Sequence, residues 1–211
     1  MAAAASWKRR QVPAVRARIE ISDDRRPHSL VLCTLPEANL VTPKVLLTGR
    51  PGCGKTTLVK RIVNEVALPA GGFYTVEIRE GRERVGFKII TLDDQEAVLA
   101  HVDFKTPARV AKYGLDLSGL ETIGVEALSK AMRARQVVVI DEIGPMEIRS
   151  GVFCDVVKEA LDSGAPILAT ITARSFPFTD TIRKRHDLAL IEVRRNNREQ
   201  LVSEVLDQFM A

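Results

Sequence analysis

The sequence has no apolar run near the roughly 20 residues that a membrane-spanning helix requires, so no membrane partner is expected. Cysteine is scarce: Cys33, Cys53 and Cys154 are the only three. An odd number with neither CxxC nor Cys/His ligand spacing argues against a zinc site and for a reducing compartment, by default the cytoplasm. The three histidines, His28, His101 and His186, share no metal-ligand spacing either and read as surface or packing residues. No repeat with a period of 20 to 50 residues is visible, which excludes solenoids and propellers. Charge of one sign is also lacking, since the net value is only +4, and 45% hydrophobic with 27% charged residues is ordinary for a soluble globular protein. A length of 211 residues fits one domain with a sizeable core and a decorated end.

That decoration is the first stretch of chain. Residues 1–43 carry Lys8, Arg9, Arg10, Arg16, Arg18, Arg25 and Arg26 against Glu20, Asp23, Asp24 and Glu37, with Pro13, Pro27, Pro36 and Pro43 breaking short apolar groups. An irregular, basic N-terminal extension is expected there. A solvated tail is the favoured reading over a nucleic-acid arm, so nucleic acid is a possible partner that nothing indicates. The Arg-rich opening has some likeness to an organellar transit peptide, which Asp23, Asp24 and the want of sustained amphipathicity oppose.

What is present in strength begins at Val45. An apolar run (Val45, Leu46, Leu47), then Gly49-Arg50-Pro51-Gly52-Cys53-Gly54-Lys55-Thr56-Thr57, then an amphipathic segment (Leu58, Val59, Ile62, Val63, Val66) reads as strand, phosphate loop and helix. Gly49, Gly52 and Gly54 permit backbone angles that turn successive N–H groups into one concavity. The helix from Lys55 aims its positive dipole end at the same oxygens. Lys55 adds an ammonium for the β and γ phosphates, the Thr56 hydroxyl offers a hard oxygen to Mg²⁺, and Thr57 reaches toward the α phosphate. Cys53 reads as a small tolerated loop residue.

Beyond Pro69-Ala70-Gly71-Gly72, the alternation in residues 73–78 and again in 85–90, with a turn at Glu80-Gly81-Arg82, predicts an antiparallel hairpin at one edge of the sheet. Residues 97–102 are ambiguous, 112–117 suggest one more strand, and Leu120, Ile123, Ala127, Leu128, Ala131 and Met132 recur at helical spacing, with Ser118 and Glu121 as a capping box. Val137-Val138-Val139-Ile140 suits a strand buried on both faces. It ends in Asp141-Glu142, at the strand end where open α/β sheets bind ligands. Asp141 fits a metal-orienting role, and Glu142, diverging from it, can take a proton from water lined up on the γ phosphate.

A loop at 143–147, a helix closed by Gly164, a buried strand over 166–172, a short helix beyond Pro177, a last strand over 188–193 and a final amphipathic helix complete the pattern. Thr170 or Thr172 could meet the γ phosphate or its attacking water, though a satisfied strand threonine is the commoner case. The cluster Arg183, Lys184, Arg185 is the best source of a cation for the γ oxygens, with Arg183 as first choice, Arg174 competing and a solvated basic face equally open.

Taken together, Gly49-x-Pro51-Gly52-x-Gly54-Lys55-Thr56-Thr57-Leu58, Gly72-Phe73-Tyr74-Thr75-x-Glu77-Ile78-Arg79, Gly86-Phe87, Tyr113-x-x-Asp116 and Asp141-Glu142-Ile143-Gly144-x-Met146-Glu147 resemble the small nucleoside-triphosphatase family of thermophiles, which includes the cancer-related nucleoside-triphosphatase of animals. The likeness covers residues 44–211. It implies a three-layer, RecA-like α/β P-loop fold with a mostly parallel sheet, and Mg²⁺-dependent hydrolysis of several nucleoside triphosphates, ATP and GTP among them. It also implies that residues 52–57 hold phosphate, that Asp141 and Glu142 serve metal and water, and that Asn197 and Arg198 lie where such folds touch the base. A monomer is expected. Two departures stand out: residues 1–43 have no counterpart in the family, and Ala111 occupies a position before the tyrosine where glycine is expected. The competing readings are a nucleotide or polynucleotide kinase, which would use the same loop, and a slow nucleotide-dependent switch that binds nucleic acid.

Overall fold

The β-branched run at the centre of the chain forms β7 (Val137–Ile143). Its side chains alternate between two apolar layers: Val138 and Ile140 enter one, Val137 and Val139 the other. All four are at most 1% exposed, which is why no polar residue interrupts the run. Each such side chain contributes about 1.5–3 kcal/mol on burial. The structure, a computed structural model, describes residues 42–210. The expected basic extension, including Cys33 and His28, therefore lies outside the described residues but for Thr42 and Pro43.

Nine strands make one sheet in the order β5-β6-β4-β3-β2-β7-β8-β1-β9. Those not yet placed are β1 (Lys44–Thr48), β2 (Ala70–Glu80), β3 (Glu83–Thr91), β4 (Glu96–His101), β5 (Arg109–Val110), β6 (Tyr113–Leu115), β8 (Ile167–Ile171) and β9 (Ala189–Glu192). From β2 to β9 every pairing is parallel, and from β2 outward to β5 every pairing is antiparallel. The predicted hairpin is β2–β3, but three more strands extend the sheet beyond it, so the edge belongs to β5 and the antiparallel half is larger than the sequence suggested. The ambiguous stretch at 97–102 is β4, and the strand expected at 112–117 shrinks to β6.

Helices cover both faces. α1 (Lys55–Glu65) and α5 (Arg198–Met210) pack on one through Leu58, Val59, Ile62, Leu201, Val202 and Val205. On the other lie α2 (Val125–Arg133), entered through a π turn at Leu120–Gly124, and α3 (Gly151–Asp162), where Phe153 meets Phe73 edge to face at 6.1 Å. The short α4 (Pro177–Arg183) follows β8. This is the three-layer α/β architecture expected.

The predicted capping box does not form. Asp116 takes its place, its Oδ1 accepting from the Ser118 N–H at 3.0 Å, while Glu121 Oε1 accepts from Ser150 Oγ at 2.6 Å. Ser150 in turn caps α3, its Oγ accepting from the Phe153 N–H. No helix among the described residues is long and apolar enough to cross a membrane.

Candidate active site

Four parallel strands, β1, β7, β8 and β9, end on the same side of the sheet, and every segment singled out for chemistry leaves from one of those ends. After β1 the loop turns through Gly52 (φ 74°) and Gly54 (φ 97°), left-handed conformations that a Cβ would strain. α1 starts directly at Lys55, so its first amides and positive dipole end face the loop. Cys53 is buried within it, its N–H donating to the Arg50 carbonyl at 3.2 Å. Arg50, Pro51, Gly52 and Cys53 share a cavity of about 560 Å³ with Glu192, Val193, Arg194 and Arg195 at the end of β9.

Lys55 is buried, with its Nζ 3.4 Å from the Gly49 carbonyl and 3.5 Å from Glu142 Oε2. The loop and the end of β7, far apart in sequence, thus meet through one cation. Thr56 is half-buried beside them and Thr57 is exposed. The Asp141–Glu142 peptide bond is cis. Asp141 is 1% exposed; its Oδ1 accepts from Thr170 Oγ1 at 2.6 Å, and its Oδ2 is buried without a partner among the described residues. Burial raises the pKa of this carboxyl, opposed by the hydroxyls of Thr170 and Thr56 and the charges of Lys55 and Lys60. A buried carboxylate oxygen without a partner, on a carboxyl that the Thr56 hydroxyl also acts on, fits a hard divalent cation or one of its waters. Burial also raises Glu142, which Lys55 pulls back down and Asp141 pushes further up.

A third carboxyl completes the cluster. Glu147, at 2% exposure, accepts from Thr75 Oγ1 on β2 at 3.1 Å through its Oε1. Burial, then the charge of Glu142, push its pKa up to about 8. The sequence placed Glu147 in a loop without a role; the missing information was that β2 lies beside β7, which brings Thr75 under the 143–147 turn.

The basic residues after β8 divide. Arg183 is fully engaged: Nη1 donates to Thr179 Oγ1 (3.2 Å) and Asp180 Oδ1 (2.8 Å), and Nη2 to the carbonyls of Thr172 and Arg174. It ties the loop after β8 together instead of projecting from it. Arg185 is bound likewise to Asp187, Asp162 and the Leu161 carbonyl. Arg174 is exposed, with its guanidinium 5.5 Å from the Phe176 ring. Thr170 is satisfied by Asp141, and Thr172 Oγ1 accepts from the Arg174 N–H at 3.3 Å.

Asn197 spends both ends of its amide on the turn before α5, accepting from the Arg194 N–H at 2.8 Å and donating to the Glu192 carbonyl at 3.0 Å. Arg198 lies across the phosphate loop, so that a Cβ on Gly54 would come within 2.6 Å of its Nη1, and its Nε is buried without a partner among the described residues.

The profile of the family described as NTPase matches residues 44–206. Nucleoside-triphosphatase THEP1 of Thermotoga maritima is 47% identical over 163 residues, which is 77% of this chain and 93% of that protein. The THEP1 of Methanocaldococcus jannaschii is 39% identical over 173 residues, 80% and 98% of the two chains. Among solved structures, the crystal structure of THEP1 from the hyperthermophile Aquifex aeolicus superposes with a TM-score of 0.74 at 35% identity, over 80% of this chain and 99% of that one. The solution structure of a human cancer-related nucleoside triphosphatase gives 0.68 at 34% identity, over 78% and 96%.

Proposed function

This chain belongs to the NTPase family, and from that premise we propose that it hydrolyses nucleoside 5′-triphosphates of several bases to diphosphate and phosphate, with Mg²⁺ as its metal and Glu142 directing the attacking water. The observation that carries the reading is the contact of 3.5 Å between Lys55 of the phosphate loop and Glu142 at the end of β7. It brings phosphate-binding and water-directing groups to one point at the edge of the sheet.

The amides of residues 52–57 hold the β and γ phosphates, and Lys55 neutralises charge that grows on the γ oxygens. Phosphate oxygens compete with Glu142 for Lys55, which leaves the Glu142 carboxylate to accept a hydrogen bond from water. Thr56 and the unpartnered Oδ2 of Asp141 are the groups suited to hold Mg²⁺. Bound there, the metal would supply charge neutralisation to the phosphates. Arg183 acts by fixing the loop after β8, and Arg174, exposed on that loop, is a cation that can approach the γ phosphate. Arg198 lies against the loop at the nucleotide end, and Asn197 shapes the turn that carries it.

The test is phosphate release from ATP, GTP, CTP and UTP with and without Mg²⁺, for the native chain and for Glu142→Gln. The variant is expected to turn over about 10² to 10⁴-fold more slowly while still binding nucleotide. Full activity in Glu142→Gln, or labelled γ phosphate arriving on a nucleoside, nucleotide or RNA instead of in solution, would overturn the reading.

A further inference from the structure

The third carboxyl of the cluster is placed against the water-directing one. Glu142 and Glu147 flank Gly144 so closely that a Cβ there would lie 2.7 Å from Glu142 Cγ and 2.8 Å from both Glu142 Oε1 and Glu147 Oε2. Two carboxyl oxygens therefore approach one point that only a glycine leaves open. Glu147 Oε1 accepts from Thr75, which leaves Oε2, the oxygen on the Gly144 side, as the one facing Glu142.

We propose that Glu147 is a positioning residue for hydrolysis: anchored by Thr75 and buried beneath Gly144, it presents a neutral carboxylic acid to Glu142 and fixes that carboxylate in its water-directing orientation. The inference rests on the role given to Glu142 above. The surroundings favour the neutral form. Glu147 is enclosed by β2 and by the 143–147 turn, and the charged groups that act on it are Glu142 and Asp141, both of like sign, with no compensating cation among them. Lys55 reaches Glu142 instead. With its pKa pushed up to about 8, Glu147 holds its proton at neutral pH, and ionisation above that sets two negative carboxylates across Gly144. The Glu142 side chain would then be driven from its place.

The experiment compares the full chain with Glu147→Gln and Glu147→Leu, measuring kcat and KM for ATP from pH 6 to 9.5, with binding of a fluorescent nucleotide as the check of folding. The native kcat is expected to fall above about pH 8. Glu147→Gln, neutral at every pH and still a donor, should keep kcat within about threefold of native at pH 7 and lose the alkaline fall. Glu147→Leu should lower kcat about 10²-fold at nearly constant KM. An unchanged alkaline fall in Glu147→Gln overturns the proposal, as does a native kcat in Glu147→Leu. If Glu147→Leu does not fold, the Glu147→Gln profile alone decides. Glu142→Gln in the same series separates the two claims: full activity there removes the role of Glu142 and this proposal together. A slow Glu142→Gln beside an unchanged Glu147→Gln profile removes this proposal only.

Discussion

Buried carboxyls without cations are costly, and at Glu147 the cost is expected to appear as a dependence of stability on pH. Its folded pKa of about 8 lies above the ordinary value of 4.5, so between those two values the native chain holds a proton that the unfolded chain releases. Stability therefore falls as pH rises through that window, by up to about 1.4 kcal/mol per pH unit, and levels off above pH 8. Glu147→Gln removes the difference. Its stability relative to the native chain should rise steadily from pH 5 to 8, read from urea unfolding in metal-free buffer.

Thr170 permits a second forecast at the same scale. Its hydroxyl is the partner of the Asp141 Oδ1, inside the core. Thr170→Val should weaken the apparent Mg²⁺ affinity about 10-fold in activity titrations, and cost about 1–3 kcal/mol of stability. The sequence singled out Thr170 and Asp141 separately, but not their pairing. The phosphate loop and Asp141-Glu142 were legible because local spacing and one apolar run define them. The partners of Glu147, Arg183 and Thr170 were not, because each lies on another strand or turn whose neighbour only the folded sheet decides.

Among the elements, the β5–β6 turn holds Ala111, where the family resemblance leads one to expect glycine. Ala111 sits there at φ 52°, exposed, in the left-handed region that favours glycine. The glycine expected from the resemblance has a conformational reason. Ala111→Gly should stabilise the chain by about 0.5–1 kcal/mol after the added entropy of the unfolded state is subtracted, visible as a higher urea midpoint with turnover unaltered. Helix periodicity and the both-faced burial of β7 could be read from residue patterns alone. The size of the antiparallel half could not, since β5 has two residues and β6 three, too short for alternation to register.

For the molecule as a whole, residues 44–206 carry the family match, and the first described residue that the sheet needs is Pro43, whose carbonyl accepts from the Ile167 N–H at 2.9 Å. A chain beginning at Val41 should keep kcat within about twofold of the full chain. If the preceding basic stretch binds nucleic acid, the full chain and not the shortened one should respond to RNA in a salt-dependent way. The three-layer class was legible through the resemblance to the family, whereas the strand order was not, because crossovers leave no local trace.

β1, β7, β8 and β9 end at the candidate site, while turns feeding them, such as Ser163-Gly164-Ala165 between α3 and β8, lie at the other end of the sheet. Anchoring the protein to a bead or an electrode through position 163 would leave its reactive rim pointing into the bulk liquid. The same tether at position 195 would hold the molecule face down, with its substrate shut out.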